Sequence, residues 1–224
     1  MIIAFLFSFF SCSTSYDTDT QKQGYDETIE LPGPQVISDV SLEESINNRR
    51  SVREFEDKGL SLKEISQLLW SAQGITDQER GFRSIPSAGA LYPLEIFVVS
   101  DAGIYRYIPE NHEISCLFEF DKRLELAEAC VSQDFISDAP ASIIITGILS
   151  KTEKKYGERA LRYVYLEAGH CCQNILLQAT AIGLGAVPVG AFYDTEILKI
   201  LGLDDSYTPI YVIPIGHIVT DQGP

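Results

Sequence analysis

The chain has 224 residues, 45% of them hydrophobic, with 16 Gly and 10 Pro and no evident repeats, which excludes collagen, coiled coil and wholesale disorder. Seventeen basic residues stand against 32 acidic ones, a formal charge of −15, so the long-range field repels phosphate backbones and anionic membrane surfaces and disfavours nucleic-acid binding. An acidic chain can still hold one small anion where its few cations are concentrated.

Ile2 to Phe10 is apolar apart from Ser8, and Ser11, Cys12 and a polar stretch follow. The run is too short to span a bilayer as a helix, which takes about 20 residues. Its length, the small Ser11 and the cysteine after it predict a signal over 1–12 with a lipid anchor at Cys12, and so an exported, membrane-anchored location, periplasmic or cell-surface. The competing reading is a mis-assigned start, with the protein cytoplasmic. Residues 13–38, rich in Ser, Thr, Asp, Gln, Gly and Pro, read as a flexible tether, and 39–219 as one folded domain, large enough to bury roughly 70% of its unfolded surface. The spacing of Cys12, Cys116, Cys130, Cys171 and Cys172 matches no disulfide framework or zinc site, which predicts mostly buried thiols. His112, His170 and His217 lack metal-ligand spacing with the cysteines or carboxylates.

Ser41-Leu42-Glu43-Glu44 has the spacing of a capping box and opens a helix to about Arg50; Ser61-Leu62-Lys63-Glu64 opens a second that Gly74 stops. Glu95–Ser100 and Ile104–Ile108 read as a hairpin across Asp101-Ala102-Gly103. Asp121–Val131 reads as helix and Ala141–Leu149 as a strand buried on both faces. The longest helix is expected over Glu158–Ile182, with Leu161, Val164, Tyr165, Ala168, Cys172, Ile175, Leu176 and Ala179 in one stripe. Asp194 caps a short helix ending before Gly202, and Ile210–Ile218 is a last strand. Helices and strands interleave, as in an α+β or three-layer domain.

Four segments carry candidate chemistry. Arg49, Arg50 and Arg53 lie within five positions around Ser51 at a helix end, where they either complement the negative helix terminus or clamp a phosphate with guanidinium forks and a hydroxyl. Pro86-Ser87-Ala88-Gly89-Ala90-Leu91-Tyr92-Pro93 leads into a strand; it is either a turn or a loop of small residues whose backbone lies along a flat ring. In Gly183-Leu184-Gly185-Ala186-Val187-Pro188-Val189-Gly190, the first glycine ends a helix, while Pro188 and Gly190 spoil a central strand and suggest exposed backbone. Lys155-Tyr156-Gly157 precedes the long helix, whose polar positions hold Glu167, His170, Gln173 and Asn174; the Lys-Tyr pair is either solvated or part of a site.

Together Arg-Arg-Ser-x-Arg-x-Phe, Ser-Ala-Gly-Ala-Leu-Tyr-Pro-Leu-Glu, Leu-Glu-Ala-Gly-His (Leu166–His170) and Gly-Leu-Gly-Ala resemble the FMN-dependent nitroreductase superfamily, and more narrowly its SagB-type branch, which includes thiazoline/oxazoline oxidases. The resemblance covers about residues 42–218. It implies an α+β, three-layer domain with a central, mostly antiparallel sheet flanked by helices, and FMN at the interface of an intertwined homodimer. Carried onto this chain, Arg49, Arg50, Ser51 and Arg53 would hold the FMN phosphate and ribityl chain; Ser87, Ala88, Gly89 and Leu91 would line the ring and ribityl edge. Pro188, Val189 and Gly190 would cover the other ring edge with backbone donors near N5, and Gly216 and His217 would stand near the phosphate. Lys155 and Tyr156 match a pair held to assist proton removal in azoline oxidases, since a base eases loss of hydride from carbon. The implied function is an FMN-dependent oxidoreductase acting on a small molecule by two-electron hydride transfer at flavin N5. The alternatives are an NAD(P)H-dependent nitro or quinone reductase, or a non-catalytic flavin-binding surface lipoprotein that meets the membrane only through Cys12.

Overall fold

A computed structural model of the chain describes residues 28–219; the expected signal segment, Cys12 and most of the tether lie outside them. In chain order the described residues form β1 (Thr28–Glu30), α1 (Leu42–Asn48), α2 (Leu62–Gln73), β2 (Ile75–Asp77), β3 (Phe82–Arg83), β4 (Leu94–Ser100), β5 (Gly103–Ile108) and β6 (Glu113–Phe118). There follow α3 (Arg123–Ala129), α4 (Phe135–Asp138), β7 (Ala141–Ile148), α5 (Leu149–Tyr156), α6 (Ala160–Ala181), β8 (Leu184–Ala186), α7 (Asp194–Leu201) and β9 (Tyr207–His217).

The caps act where the sequence puts them. The Ser41 hydroxyl accepts the Glu44 N–H, and at α2 the box is reciprocal: Ser61 accepts from Glu64 N–H while the Glu64 carboxylate accepts the Ser61 N–H. Side-chain alternation along the strands then splits the core. Ile96 and Val98 of β4, Ile143 and Ile145 of β7, and Ile213 and Ile215 of β9 face α2 and α6; Phe97, Val99, Ile144 and Val212 face α3, α4 and α7. The result is a three-layer α+β domain whose antiparallel sheet runs β1-β6-β5-β4-β7-β9-β8, with β2–β3 as a separate ribbon.

Three expectations change. Residues 28–38 do not hang free: Thr28–Glu30 pairs with Glu113–Ser115 as an edge strand, Leu31 is buried, and the Gln35 N–H donates to Gln67 Oε1 at 2.8 Å. The short strand is only three residues long, so composition dominated its reading. Leu161 and Tyr165 leave the buried stripe of α6 and are exposed with Leu166, while Val164, Ala168, Cys171, Cys172, Ile175, Leu176 and Ala179 form the inner face. Lys155 and Tyr156 belong to a helix of their own, α5, which Gly157 terminates. The four described cysteines form no disulfide; Cys130, Cys171 and Cys172 are buried, and burial pushes the Cys130 and Cys172 thiols up to about 12 and that of Cys171 well above the ordinary range.

Helix α6 approaches β7 so closely that a Cβ at Gly147 would lie 2.6 Å from Val164 Cγ1 and 3.3 Å from Ile210 Cδ1. Gly147→Ala should therefore destabilise by about 1–3 kcal/mol through overpacking, and Val164→Ala in the same chain should recover part of the loss. Denaturant midpoints of the two single variants and the double variant check this; strictly additive losses would contradict the contact.

Candidate functional site

The arginine segment is fastened to the sheet edge. After α1 the chain runs extended beside β8: the Val52 N–H donates to Ala186 O at 3.1 Å, Ser51 bridges to Ala186, and the Glu56 N–H donates to His217 O at 2.9 Å. Two glycines allow this approach. A Cβ at Gly185 would stand 2.7 Å from Val52, and one at Gly216 2.7 Å from Pro140 and 2.9 Å from Phe55. Gly216 is thus a buried packing residue beneath the segment. Its neighbour His217 turns its Nε2 toward Glu64, at 3.5 Å. Arg50, Ser51 and Arg53 are exposed and Arg49 is half-buried. Arg50 Nη1 donates to the carbonyls of Asn47 and Arg49 at 2.8 Å, complementing the end of α1, and Arg53 lies over the Phe135 ring at 5.6 Å.

Beyond β8 the strand is interrupted rather than spoiled. Val189 is buried and exchanges both backbone hydrogen bonds with Val212, at 2.8 and 3.0 Å. Its N–H is therefore committed to the sheet, which removes Val189 as a backbone donor to a ligand. Pro188 is half-buried, and Gly190 is exposed with open space where a Cβ would lie.

A second group gathers near the other end of α6. Between Pro86 and Pro93 the backbone turns through left-handed conformations at Gly89 (φ 64°), Ala90 (54°) and Tyr92 (45°); for the two non-glycine residues this costs roughly 1–2 kcal/mol each. The loop is held by its own bonds. The Ser87 hydroxyl accepts the Tyr92 N–H at 2.9 Å, the Tyr92 hydroxyl accepts the Arg83 N–H at 3.1 Å, and the Arg83 guanidinium stacks over the Tyr92 ring at 4.8 Å. From α5, Lys155 and Tyr156 reach the same loop: a Cβ at Gly89 would meet Lys155 Nζ at 2.6 Å and Tyr156 Oη at 2.8 Å. Tyr156 is steadied edge-on against Tyr163 of α6, with centroids 4.8 Å apart. Lys155 and Tyr156 are thus part of one cluster with Ser87, Ala88, Gly89 and Leu91.

Behind the loop lies the carboxyl of Glu167, one of the polar positions of α6 and the second residue of the Leu-Glu-Ala-Gly-His motif. Glu167 is 2% exposed, beside Ser87, Gln73 and Arg83, and its Oε1 makes no hydrogen bond. Arg83 Nη1 donates to Gln73 Oε1 at 3.0 Å and Nη2 to Glu110 at 2.8 Å. Asn174, two turns farther along α6, donates to the carbonyls of Ser71 and Ser84. Helical spacing places Glu167 inside the buried stripe, three residues after Val164 and four before Cys171. By contrast His170 and Gln173 are exposed.

The four segments therefore form two groups in one chain. Glu167 lies fourteen residues before Ala181, where α6 ends just ahead of β8, which is about 20 Å along the helix axis.

The chain matches the family model described as "Nitroreductase family" over residues 46–217. It is 45% identical to "Putative nitroreductase MJ1384" of Methanocaldococcus jannaschii, over 85% of this chain and 98% of that protein. A nitroreductase structure from Ralstonia eutropha aligns at 28% identity with a TM-score of 0.80, covering 88% of this chain and 91% of that one. A chain of the Escherichia coli microcin synthetase McbBCD complex, solved with truncated pro-MccB17 bound, aligns at 25% identity with a TM-score of 0.67, covering 87% of this chain and 79% of that one.

Burial pushes the Glu167 carboxyl up to about 7, against the lowering effects of Ser87, Arg83 and Gln73. The folded protein thus binds this proton more tightly than the unfolded chain, whose carboxyl titrates near 4.5. Stability from this group is complete below pH 4.5, falls as pH rises toward 7 and levels off above it, a loss on the order of 3 kcal/mol. Glu167→Gln should flatten that part of the profile and be the more stable protein at pH 8. Denaturant titrations between pH 5 and 8 check this; an unchanged slope in the variant would contradict it.

Proposed function

Because the chain belongs to the nitroreductase family of oxidoreductases, we propose that it is an FMN-dependent dehydrogenase of the SagB type, acting on a small azoline-like substrate. The observation that carries this reading is the convergence of Lys155 Nζ and Tyr156 Oη on Gly89. A simple reductase of nitro groups or quinones has no need of a base and a phenol held against the ring-facing loop.

The residues present suit the cofactor. Exposed Ser51 with the neighbouring guanidinium groups of Arg49, Arg50 and Arg53 is a donor set for a dianionic phosphate. Gly89 leaves room for the ends of Lys155 and Tyr156 against the loop, and Gly190 has open space where a side chain would stand. Bound FMN supplies two-electron hydride chemistry at its N5. Ser87, Ala88, Gly89 and Leu91 then form one wall of the ring site, and Pro188 and Gly190 another. Lys155 takes at Nζ the proton released when the substrate carbon gives up hydride, and Tyr156, braced by Tyr163, orients the reacting group. The substrate loses one hydride and one proton and gains a C=C or C=N bond.

In this reading a second copy of the chain completes the site. Support comes from the separation of the two groups along α6 and from the apolar residues left exposed on the neighbouring helices, Leu42 and Ile46 on α1 and Leu161, Tyr165 and Leu166 on α6. The homodimer would bring the arginine segment of one copy to the Gly89 loop of its partner.

The second reading, an NAD(P)H-dependent nitro or quinone reductase, is favoured by the 45% identity to the Methanocaldococcus protein named for nitroreduction. The visible spectrum of the FMN-loaded protein separates the two. On the first reading neither NADH nor NADPH bleaches the flavin without oxygen, and Lys155→Ala retains FMN while losing turnover of a thiazoline or oxazoline peptide by at least about 100-fold. Rapid bleaching by a nicotinamide supports the second reading. A protein that cannot be loaded with FMN rules out both.

A further inference from the structure

We infer that a fork between β4 and β5 is a binding subsite for a small carboxylate, held there by Arg83 and Lys151 beside the Gly89 loop. On the reading above, that carboxylate belongs to the azoline substrate. The identity of the ring rests on that reading; the subsite does not.

The fork is a break inside the sheet. The ladder between β4 and β5 ends at Phe97 and Arg106, yet β4 continues to Leu94, opposite Gly147 of β7, and β5 continues to Ile108, opposite Glu113 of β6. Neighbouring strands ordinarily close on each other, because an open ladder leaves backbone polar groups without their strand partners. Here charged side chains line the gap instead. A cavity of about 310 Å³ lies there, with Gln73, Arg83, Glu95, Arg106, Glu110 and Lys151 in its wall. That volume is at the small end of ligand sites and has room for a five-membered ring carrying a carboxylate.

The wall suits one added anion. Among the described residues that line the cavity, three cations face two carboxylates. Glu95 is a fixed part of the wall: it is buried, its Oε2 accepts from Arg106 Nε and Nη2 at 3.0 and 2.7 Å, and its Oε1 accepts from Lys151 Nζ at 2.8 Å. Glu110 is held more weakly. Its side chain is 63% exposed, against 14% for Arg83, whose Nη2 donates to it at 2.8 Å. A pair with one partner in solvent contributes little, so a ligand carboxylate can displace Glu110 and take the guanidinium. The exposed Lys151 ammonium has three N–H groups and turns another to the same ligand. Gln73, wholly buried in the wall, has an Nε2 without a hydrogen-bond partner, a donor that a ligand oxygen can satisfy. Because Glu95 stays in place and repels further negative charge, a planar monoanion fits better than a phosphate dianion, and a carboxylate matches the guanidinium fork of Arg83.

Two elements join this subsite to the Lys155 cluster. The Arg83 guanidinium also lies over Tyr92 of the loop, at 4.8 Å. Lys151 precedes Lys155 by four residues on α5, one helical turn, so both amines leave the same face. A substrate anchored in the fork by its carboxylate thus presents its ring toward Lys155 and Gly89.

Calorimetry of the full chain with thiazole-4-carboxylate, and with the neutral thiazole-4-carboxamide as its control, tests the subsite. The measurement belongs at pH 6, below the value of about 7 to which burial raises the neighbouring Glu167 carboxyl. The carboxylate should bind about tenfold more tightly than the carboxamide. Lys151→Met should reduce that preference to within about twofold, and Glu110→Gln, which removes the competing carboxylate, should tighten the carboxylate alone by about threefold. Equal binding of the two probes, binding of neither, or a preference that survives in Lys151→Met would overturn the inference. Azoline turnover by a protein that binds the two probes alike defeats the subsite and leaves the dehydrogenase reading intact. A Lys151-dependent preference in a protein that turns over no azoline defeats that reading and leaves the subsite standing.

Discussion

Close packing of α6 against the sheet is the contact from which the rest of the molecule takes its positions. Ala160, Ala168 and Ala179 are buried along its inner face, and Gly147 of β7 lacks the side chain that would hold the helix away. With 22 residues the helix extends about 33 Å, enough to run the length of the central strands. Groups as far apart as Glu167 and the Gly183 turn are therefore fixed in one frame. Asn174 adds a polar tie in the middle, holding the end of α2 and the strand entering the Pro86 loop by their carbonyls.

Both ends of that frame rely on close backbone approach, and each achieves it differently. At the sheet edge Gly185 and Gly216 remove side chains so that residues 51–56 can lie flat beside β8 and β9. At the loop, Gly89 gives room to the ends of Lys155 and Tyr156, and the left-handed turns at Ala90 and Tyr92 are held by Arg83 and Ser87. The strong negative charge of the whole chain hides the first of these features. Three arginines in five positions make a local positive field, of which Arg50 spends part on the carbonyls at the end of α1.

Local chemistry made much of this legible in the sequence. Ser41 and Ser61 announce their helices, β4 and β7 show themselves by unbroken apolar runs, and the Arg-rich, Ser-Ala-Gly and Gly-Leu-Gly motifs mark the candidate surfaces. What remained hidden depends on partners distant in the chain. Thr28–Glu30 is a strand only because β6 offers it an edge. Val189 looks available until Val212 is found opposite it. Leu161 and Tyr165 fit the helical stripe by spacing, yet they lie where α6 starts and no further layer among the described residues covers them. Glu167 is named by its motif, but its burial is not, since a carboxylate on a helix is ordinarily solvated.

The buried cysteines have a consequence for electron flow. Burial raises the Cys130, Cys171 and Cys172 thiols well above the ordinary range and so keeps them in the neutral form at pH 7. Attack on disulfides and reaction with peroxide both require the thiolate. These sulfurs are therefore chemically quiet in oxidising and reducing surroundings alike. A domain of an oxidoreductase family thus keeps these three buried sulfurs out of thiol–disulfide exchange.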